Sequence, residues 1–238
     1  MLYSRSKDTE NVDIDSLLIS AADGTQIERV PAYKYLGLWL DQKLTFKPHI
    51  DLLAVKLRQK IGYLYRNHSS FPLSARKQIV EATFLSVLDY GDIIYMHASA
   101  TALKVLDTVY HSAIRFITQA NYDTHHCHLY QLVGWTSLAL RRKLHWYQFI
   151  FKAISGKLPP YLTNLLDRNL SSHATRSSEW LLFRVPRTST LLGETAFSYA
   201  APSSWNLIQK ELKLDSLPTL PEFRTMVSSL CVSNCTCF

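Results

Sequence analysis

The densest run of metal-capable side chains in this sequence is His125-His126-Cys127-His128. Imidazole nitrogen and thiolate sulfur are ligands for zinc and similar borderline cations. Consecutive residues on a helix point in different directions, so the run is expected to offer at most two ligands to one ion. Cys231, Cys235 and Cys237 add thiols near the C-terminus, but neither cluster has the short Cys-x-x-Cys spacing of structural zinc sites. The sequence leaves open whether either cluster holds a metal, and zinc is not the expectation. Two-metal phosphoryl transfer needs clustered carboxylates, and no two acidic residues are adjacent anywhere. Asp89 and Asp92 come nearest, flanking Tyr90-Gly91, and read as helix-terminating, solvent-contacting residues. A phosphate-binding glycine loop, a nucleophile elbow and a His-Glu-x-x-His helix are all missing from the sequence. No catalytic residue is identified.

What remains is basic and aromatic. Lys56, Lys60 and Tyr63 border one side of an apolar stripe formed by Ile50, Leu53, Leu57, Ile61 and Leu64, and Arg58 and Tyr65 border the other. Lysines beside aromatic rings suit a sugar–phosphate chain with stacked bases. A second basic face, Arg141, His145, Gln148 and Lys152, recurs at helical spacing.

These side chains need elements to carry them. The first 45 residues read as strands. Asp23-Gly24 is a hairpin turn between Leu17-Leu18-Ile19 and the run from Ile27. In residues 33–40, period two predicts extended backbone with Tyr33, Tyr35, Gly37 and Trp39 on one side. After Pro48 the pattern turns helical. Ser74 is expected to cap a second helix ending near Gly91, buried on most sides over residues 79–88. Ser99 is expected to cap a third, with Leu103, Leu106, Tyr110, Ala113 and Ile117 inward and Lys104, Asp107, His111, Arg115 and Thr118 outward. A short helix is predicted over His126–Val133, stopped by Gly134. Thr136 is expected to cap a long helix ending at Gly156, with Leu140, Leu144, Tyr147, Phe151 and Ile154 in the core. A polar loop over residues 171–178, a strand over 181–185, and helices over 203–212 and 219–230 complete the reading. The fold class is mainly α with a small β portion: N-terminal hairpins, a helical bundle over residues 46–120 and a mostly helical region over 121–238.

Composition fits that class. The 238 residues are 47% hydrophobic and 19% charged, as in globular proteins. Acidic residues at Asp8, Glu10, Asp13 and Asp15 occupy the place of a secretory signal's apolar centre, so an intracellular protein, nuclear or cytoplasmic, is expected. No apolar run reaches the roughly 20 residues of a membrane helix. Net charge is +7, and residues 47–77 hold seven basic side chains against Asp51 alone. Such concentrated charge favours a polyanion.

In order along the chain, several motifs resemble LINE-type (non-LTR) retrotransposon reverse transcriptases downstream of the palm. They are Tyr33-Lys34-Tyr35-Leu36-Gly37, Leu44-Thr45-Phe46, His49-Ile50, Ile61-Gly62-Tyr63-Leu64-Tyr65-Arg66, Leu88-Asp89-Tyr90-Gly91-Asp92, Gly134-Trp135, Leu158-Pro159-Pro160-Tyr161, Val185-Pro186-Arg187 and Trp205-Asn206. The resemblance implies distal palm and primer-grip hairpins over residues 1–45, with Tyr33, Lys34, Tyr35, Leu36 and Gly37 as the primer grip. It implies a helical thumb over 46–120 and a C-terminal region over 121–238. Lys56, Arg58, Lys60, Tyr63 and Arg66 are the expected phosphate contacts, with Arg141, Arg142 and Lys152 as a second surface. The implied partner is RNA or an RNA–DNA template–primer, alongside the palm and fingers of the parent polymerase. The magnesium-binding aspartates of that polymerase belong to the palm, so no cofactor is expected on this chain and it is not expected to polymerise alone. A remnant without function, or a helical interaction module, is the alternative.

Overall fold

The computed structural model describes residues 20–169 and 180–230. It is mainly helical with one small antiparallel sheet, and it divides into two compact units between Trp135 and Thr136. The boundary expected at residue 120 falls inside the first unit, between two helices that pack together. No helix among the described residues is long and apolar enough to cross a membrane.

The first unit opens with the Asp23-Gly24 turn. Gly24 has φ +83°, Asp23 accepts a hydrogen bond from the Thr25 amide, and Ser20 bridges Gln26. The expected flank at Leu17-Leu18-Ile19 lies outside the described residues. A hairpin follows, β1 (Ala32–Tyr35) and β2 (Leu38–Asp41), in the register Tyr33↔Leu40, Lys34↔Trp39 and Tyr35↔Leu38. Its two-residue turn, Leu36-Gly37, has φ +45° and +87°, the double left-handed geometry that matches strand twist. This corrects the sequence reading. A two-residue turn inverts the alternation, so Trp39 shares a face with Lys34 and lies opposite Tyr33 and Tyr35.

Asp41 fixes the exit from β2. Its carboxylate accepts hydrogen bonds from the Thr45 amide and hydroxyl and, at 2.8 Å, from the Phe46 amide. Burial alone would raise its pKa, but these donors outweigh that and lower it. Helix α1 (Lys47–Arg66) then buries the predicted stripe together with His49 and Ala54. It packs along α4 (Ala100–Thr118), which Ser99 caps by accepting from the Ala102 amide.

Between them run α2 (Leu73–Val80), a π-helical turn (Glu81–Leu85) and α3 (Ser86–Leu88). Pro72, not Ser74, precedes α2. Val80, Phe84, Leu85 and Leu88 are buried while Glu81, Ala82, Thr83 and Ser86 are exposed, so this segment is one-sided rather than enclosed. Helix α5 (His126–Val133) ends at left-handed Gly134 as predicted and lies on α4. It therefore covers part of the face expected to be outward. Arg115 donates to the carbonyls of Tyr122 and Thr124, and the His111 ring meets the Tyr130 hydroxyl. Lys77 donates to the Val133 carbonyl and ties α2 to the end of α5.

The second unit contains α6 (Leu138–Ile154), α7 (Pro160–Thr163), α8 (Leu191–Thr195), α9 (Phe197–Leu212) and α10 (Leu220–Leu230). Ser137, not Thr136, caps α6 by accepting from the Leu140 amide. Of the expected core stripe only Tyr147 and Phe151 are buried, joined by Leu138, Trp146, Ile150 and Ala153. Helix α9 starts six residues before the expected Ser203 and carries Pro202 internally. Residues 181–185 form a single bridge, Arg168 to Phe183, instead of a strand, because α9 side chains take their backbone partners. Buried Trp205 donates to the Leu181 carbonyl, Asn206 pairs with both polar groups of Phe183, and Gln209 ties Leu181 to Leu214. Phe223 stacks between Phe151 and Trp205 at 4.4 and 5.6 Å. At the start of α10 the Glu222 carboxylate accepts from the Thr219 amide, one arm of the predicted capping box.

Candidate nucleic-acid interface

One groove follows α1 between the hairpin and the α2–α3 segment. It consists of two neighbouring cavities, about 350 Å³ and about 580 Å³, that share Lys56 in their linings. At the hairpin end Lys34, Gly37, Trp39, His49 and Tyr90 line it, with Leu52 and Ser86. At the far end the walls are Lys60, Tyr63, Phe71, Ile79 and Thr83. No acidic side chain lines either cavity among the described residues. Lys56 and Lys60 are one helical turn apart, about 6 Å along α1.

The hairpin is seated by the residues after α3. The Tyr90 hydroxyl donates to the Leu36 carbonyl at 2.7 Å. A Cβ on Gly37 would lie 3.1 Å from the Tyr90 ring, and one on Gly91 would lie 3.0 Å from a Leu38 methyl. Both glycines also have positive φ. The Tyr90-Gly91 pair is thus a fitted rest for the turn. Asp92, expected to face solvent, is buried instead, so only Asp89 of this pair keeps partial exposure.

His49 is buried under the hairpin, its ring 5.2 Å from that of Tyr95. The Trp39 amide donates to Nδ1 at 3.5 Å, and Nε2 has no hydrogen-bond partner among the described residues. Burial lowers its pKa and holds the ring neutral at pH 7. With Nδ1 accepting, the proton resides on Nε2.

The structure sorts the sequence-predicted residues. Lys34 and Gly37 line the groove, whereas Tyr33, Tyr35 and Leu36 are exposed and are not part of its lining. Lys56, Lys60 and Tyr63 line it. Arg58 is exposed on the opposite flank of α1, the side on which Tyr65 donates to the Ser112 carbonyl. Arg66 is exposed at the end of α1 and outside the lining. In the second unit Arg141 and Lys152 are half-buried. Arg142 is only 5% exposed and its Nη1 lacks a partner among the described residues, so burial removes it from the expected surface set. Gln148 is engaged by Arg224.

Sequence reasoning missed the contributions of Phe71, Ile79, Thr83 and Tyr90. For Tyr90 the adjoining Gly91 was a signal, since a glycine beside a helix end marks a positive-φ turn. In the metal-capable run, one candidate ligand atom from each of His125, His126 and Cys127 lies within 4.8 Å of the others. Cys231, Cys235 and Cys237 lie outside the described residues.

Comparison with known proteins gives this geometry a context. Over 100 residues, 39% of this chain, the sequence is 31% identical to the probable RNA-directed DNA polymerase from transposon X-element of Drosophila melanogaster. Over 101 residues, 41% of the chain, it is 30% identical to the RNA-directed DNA polymerase from mobile element jockey of the same organism. In each case the match spans 11% of the relative's length. Over about two fifths of its length the chain is thus similar to RNA-directed DNA polymerases of mobile elements. No family model matches, and no solved structure matches.

Proposed function

We propose that this chain is the primer-grip, thumb and C-terminal portion of a non-LTR retrotransposon reverse transcriptase, and that its groove holds a template–primer or structured RNA by its backbone. The observation that carries this reading is the pair of acid-free cavities that share Lys56, with Lys34, Lys56 and Lys60 along them and Trp39, Tyr63 and Tyr90 in their walls. Dispersed lysines on a rigid helix contact phosphates without reading sequence, and a clamp on a growing duplex requires that indifference. The aromatic rings offer π-faces that accept any base. Polymerisation itself is assigned to the palm and fingers of the parent polymerase with its magnesium ions, which this chain would assist.

Filter binding of a labelled template–primer to the full chain at two salt concentrations tests the proposal. Affinity is expected to drop steeply with salt, in proportion to the number of phosphates engaged. Affinity independent of salt rejects a phosphate-holding groove. The exposed side chains of β1 and its turn, Tyr33 54%, Tyr35 59% and Leu36 73% exposed, favour the second reading of a protein-interaction surface. That reading predicts no nucleic-acid binding at either salt concentration.

A further inference from the structure

We propose that His125, His126 and Cys127 form a site for one zinc ion or a similar borderline divalent cation, sharing no residue with the groove. Three adjacent residues converge because only two belong to the helix. His125 is the N-cap of α5, with φ −62° and ψ 137°, so its side chain is free of the helical step that separates His126 from Cys127. Its ring folds over the first turn, where Nδ1 meets the Cys127 amide at 3.4 Å and the ring stacks on His126 at 4.3 Å. The resulting set of two imidazole nitrogens and one sulfur lies within 4.8 Å, atom to atom.

Zinc holds nitrogen at about 2.0–2.1 Å and sulfur at about 2.3 Å, so its ligand atoms sit roughly 3–4 Å apart. His125 is exposed and the other two are half-buried, so small rotations of the rings close that gap. The donor set is the nitrogen and sulfur mixture zinc selects over magnesium or calcium. Three protein ligands leave a fourth position for water. The thiolate required is an anion at a helix N-terminus, where first-turn N–H groups favour negative charge. Ligation through His125 exchanges its long capping contact for a coordinate bond.

The surroundings hold this arrangement in place. His126 stacks on His111 at 5.3 Å, and the His111 Nε2 meets the Tyr130 hydroxyl at 2.5 Å. Arg115 anchors the approach to α5 through the Tyr122 and Thr124 carbonyls. The ligands therefore sit on a segment fixed to α4 rather than on a loose loop. A bound ion would fasten the start of α5 and raise the unfolding temperature of the chain.

The test uses the full chain carrying Cys231→Ser, Cys235→Ser and Cys237→Ser, so that the only thiol is Cys127. Cobalt(II) titration is expected to give a thiolate-to-cobalt charge-transfer band saturating at one equivalent and abolished by zinc. Adding Cys127→Ser is expected to remove the band, and His126→Asn to weaken zinc binding at least tenfold by chelator competition. Circular dichroism of the metal-free variants checks that they fold; should Cys127→Ser unfold, His126→Asn decides. A chain without tail thiols that shows no band, or variants that bind zinc as tightly as their parent, overturns the proposal.

Discussion

Replacing Gly91 by alanine should unseat the hairpin that closes the groove. Two costs arise. At φ +69° an L-residue is strained by roughly 1–2 kcal/mol. The new methyl would also meet the Leu38 methyls at 3.0 and 3.2 Å, and Leu38 is buried, so that side chain or the strand must shift. Overpacking of this kind adds about 1 kcal/mol or more. Gly134 is the internal control: it also has φ +69°, yet a Cβ there has nothing within 4 Å. Gly134→Ala should show the strain alone, and Gly91→Ala the strain plus the contact. With a urea m-value of about 2 kcal/mol/M, the Gly91→Ala midpoint should fall by about 1 M and by about 0.5 M more than that of Gly134→Ala. Template–primer affinity should fall for Gly91→Ala alone, because Lys34 and Trp39 ride on the displaced hairpin. Equal midpoints for the two variants, or unchanged affinity in Gly91→Ala, would refute the fitted-rest account.

Two further outcomes follow from charges the fold has covered. Burial, then the neighbouring His126 and Arg115, lower the His111 pKa to about 4. Below pH 6.5 the unfolded state takes up the proton first, so this group contributes nothing above pH 6.5 and costs stability progressively down to about pH 4. The ring is only partly buried, which trims the loss to about 1 kcal/mol at pH 5. With EDTA present, urea midpoints of the wild type and His111→Gln should therefore converge or cross between pH 7 and pH 5, and a constant difference would contradict the linkage. Arg142→Met should be neutral or stabilising by about 1 kcal/mol in thermal unfolding, because it removes a buried guanidinium with an unpartnered nitrogen. It should leave salt-dependent nucleic-acid binding unchanged, and a reduced salt slope would return Arg142 to the surface set.

Where one strong local signal acted, the sequence was readable. Helix α5 has its predicted limits because His125 caps it and Gly134 stops it, and the α1 stripe is buried as its period required. Misreadings occurred where a tertiary partner outweighed periodicity. Trp39 changed face because the chain reversed at Leu36-Gly37 inside an unbroken alternation. Helix α6 is apolar or aromatic over so many positions that several stripes fit it, and the fold buries Trp146 and Ile150 ahead of Leu140 and Leu144. Residues 181–185 have strand-like composition, but Trp205, Asn206 and Gln209 supply the partners that a second strand would have supplied. Half of the groove was legible as lysines on one flank of α1. Its other wall, from Phe71, Ile79 and Thr83, depends on packing between helices and has no signature in local spacing.

The phosphate-holding groove is tested most directly by the salt dependence of template–primer affinity in the full chain and in Lys56→Ala/Lys60→Ala. Each lost phosphate contact removes about 0.7–0.9 from the slope of log affinity against log salt. The double variant is predicted to have a slope shallower by roughly 1.4–1.8, with affinity lowered alike for unrelated sequences. A slope identical to the parent's would contradict the assignment of this groove.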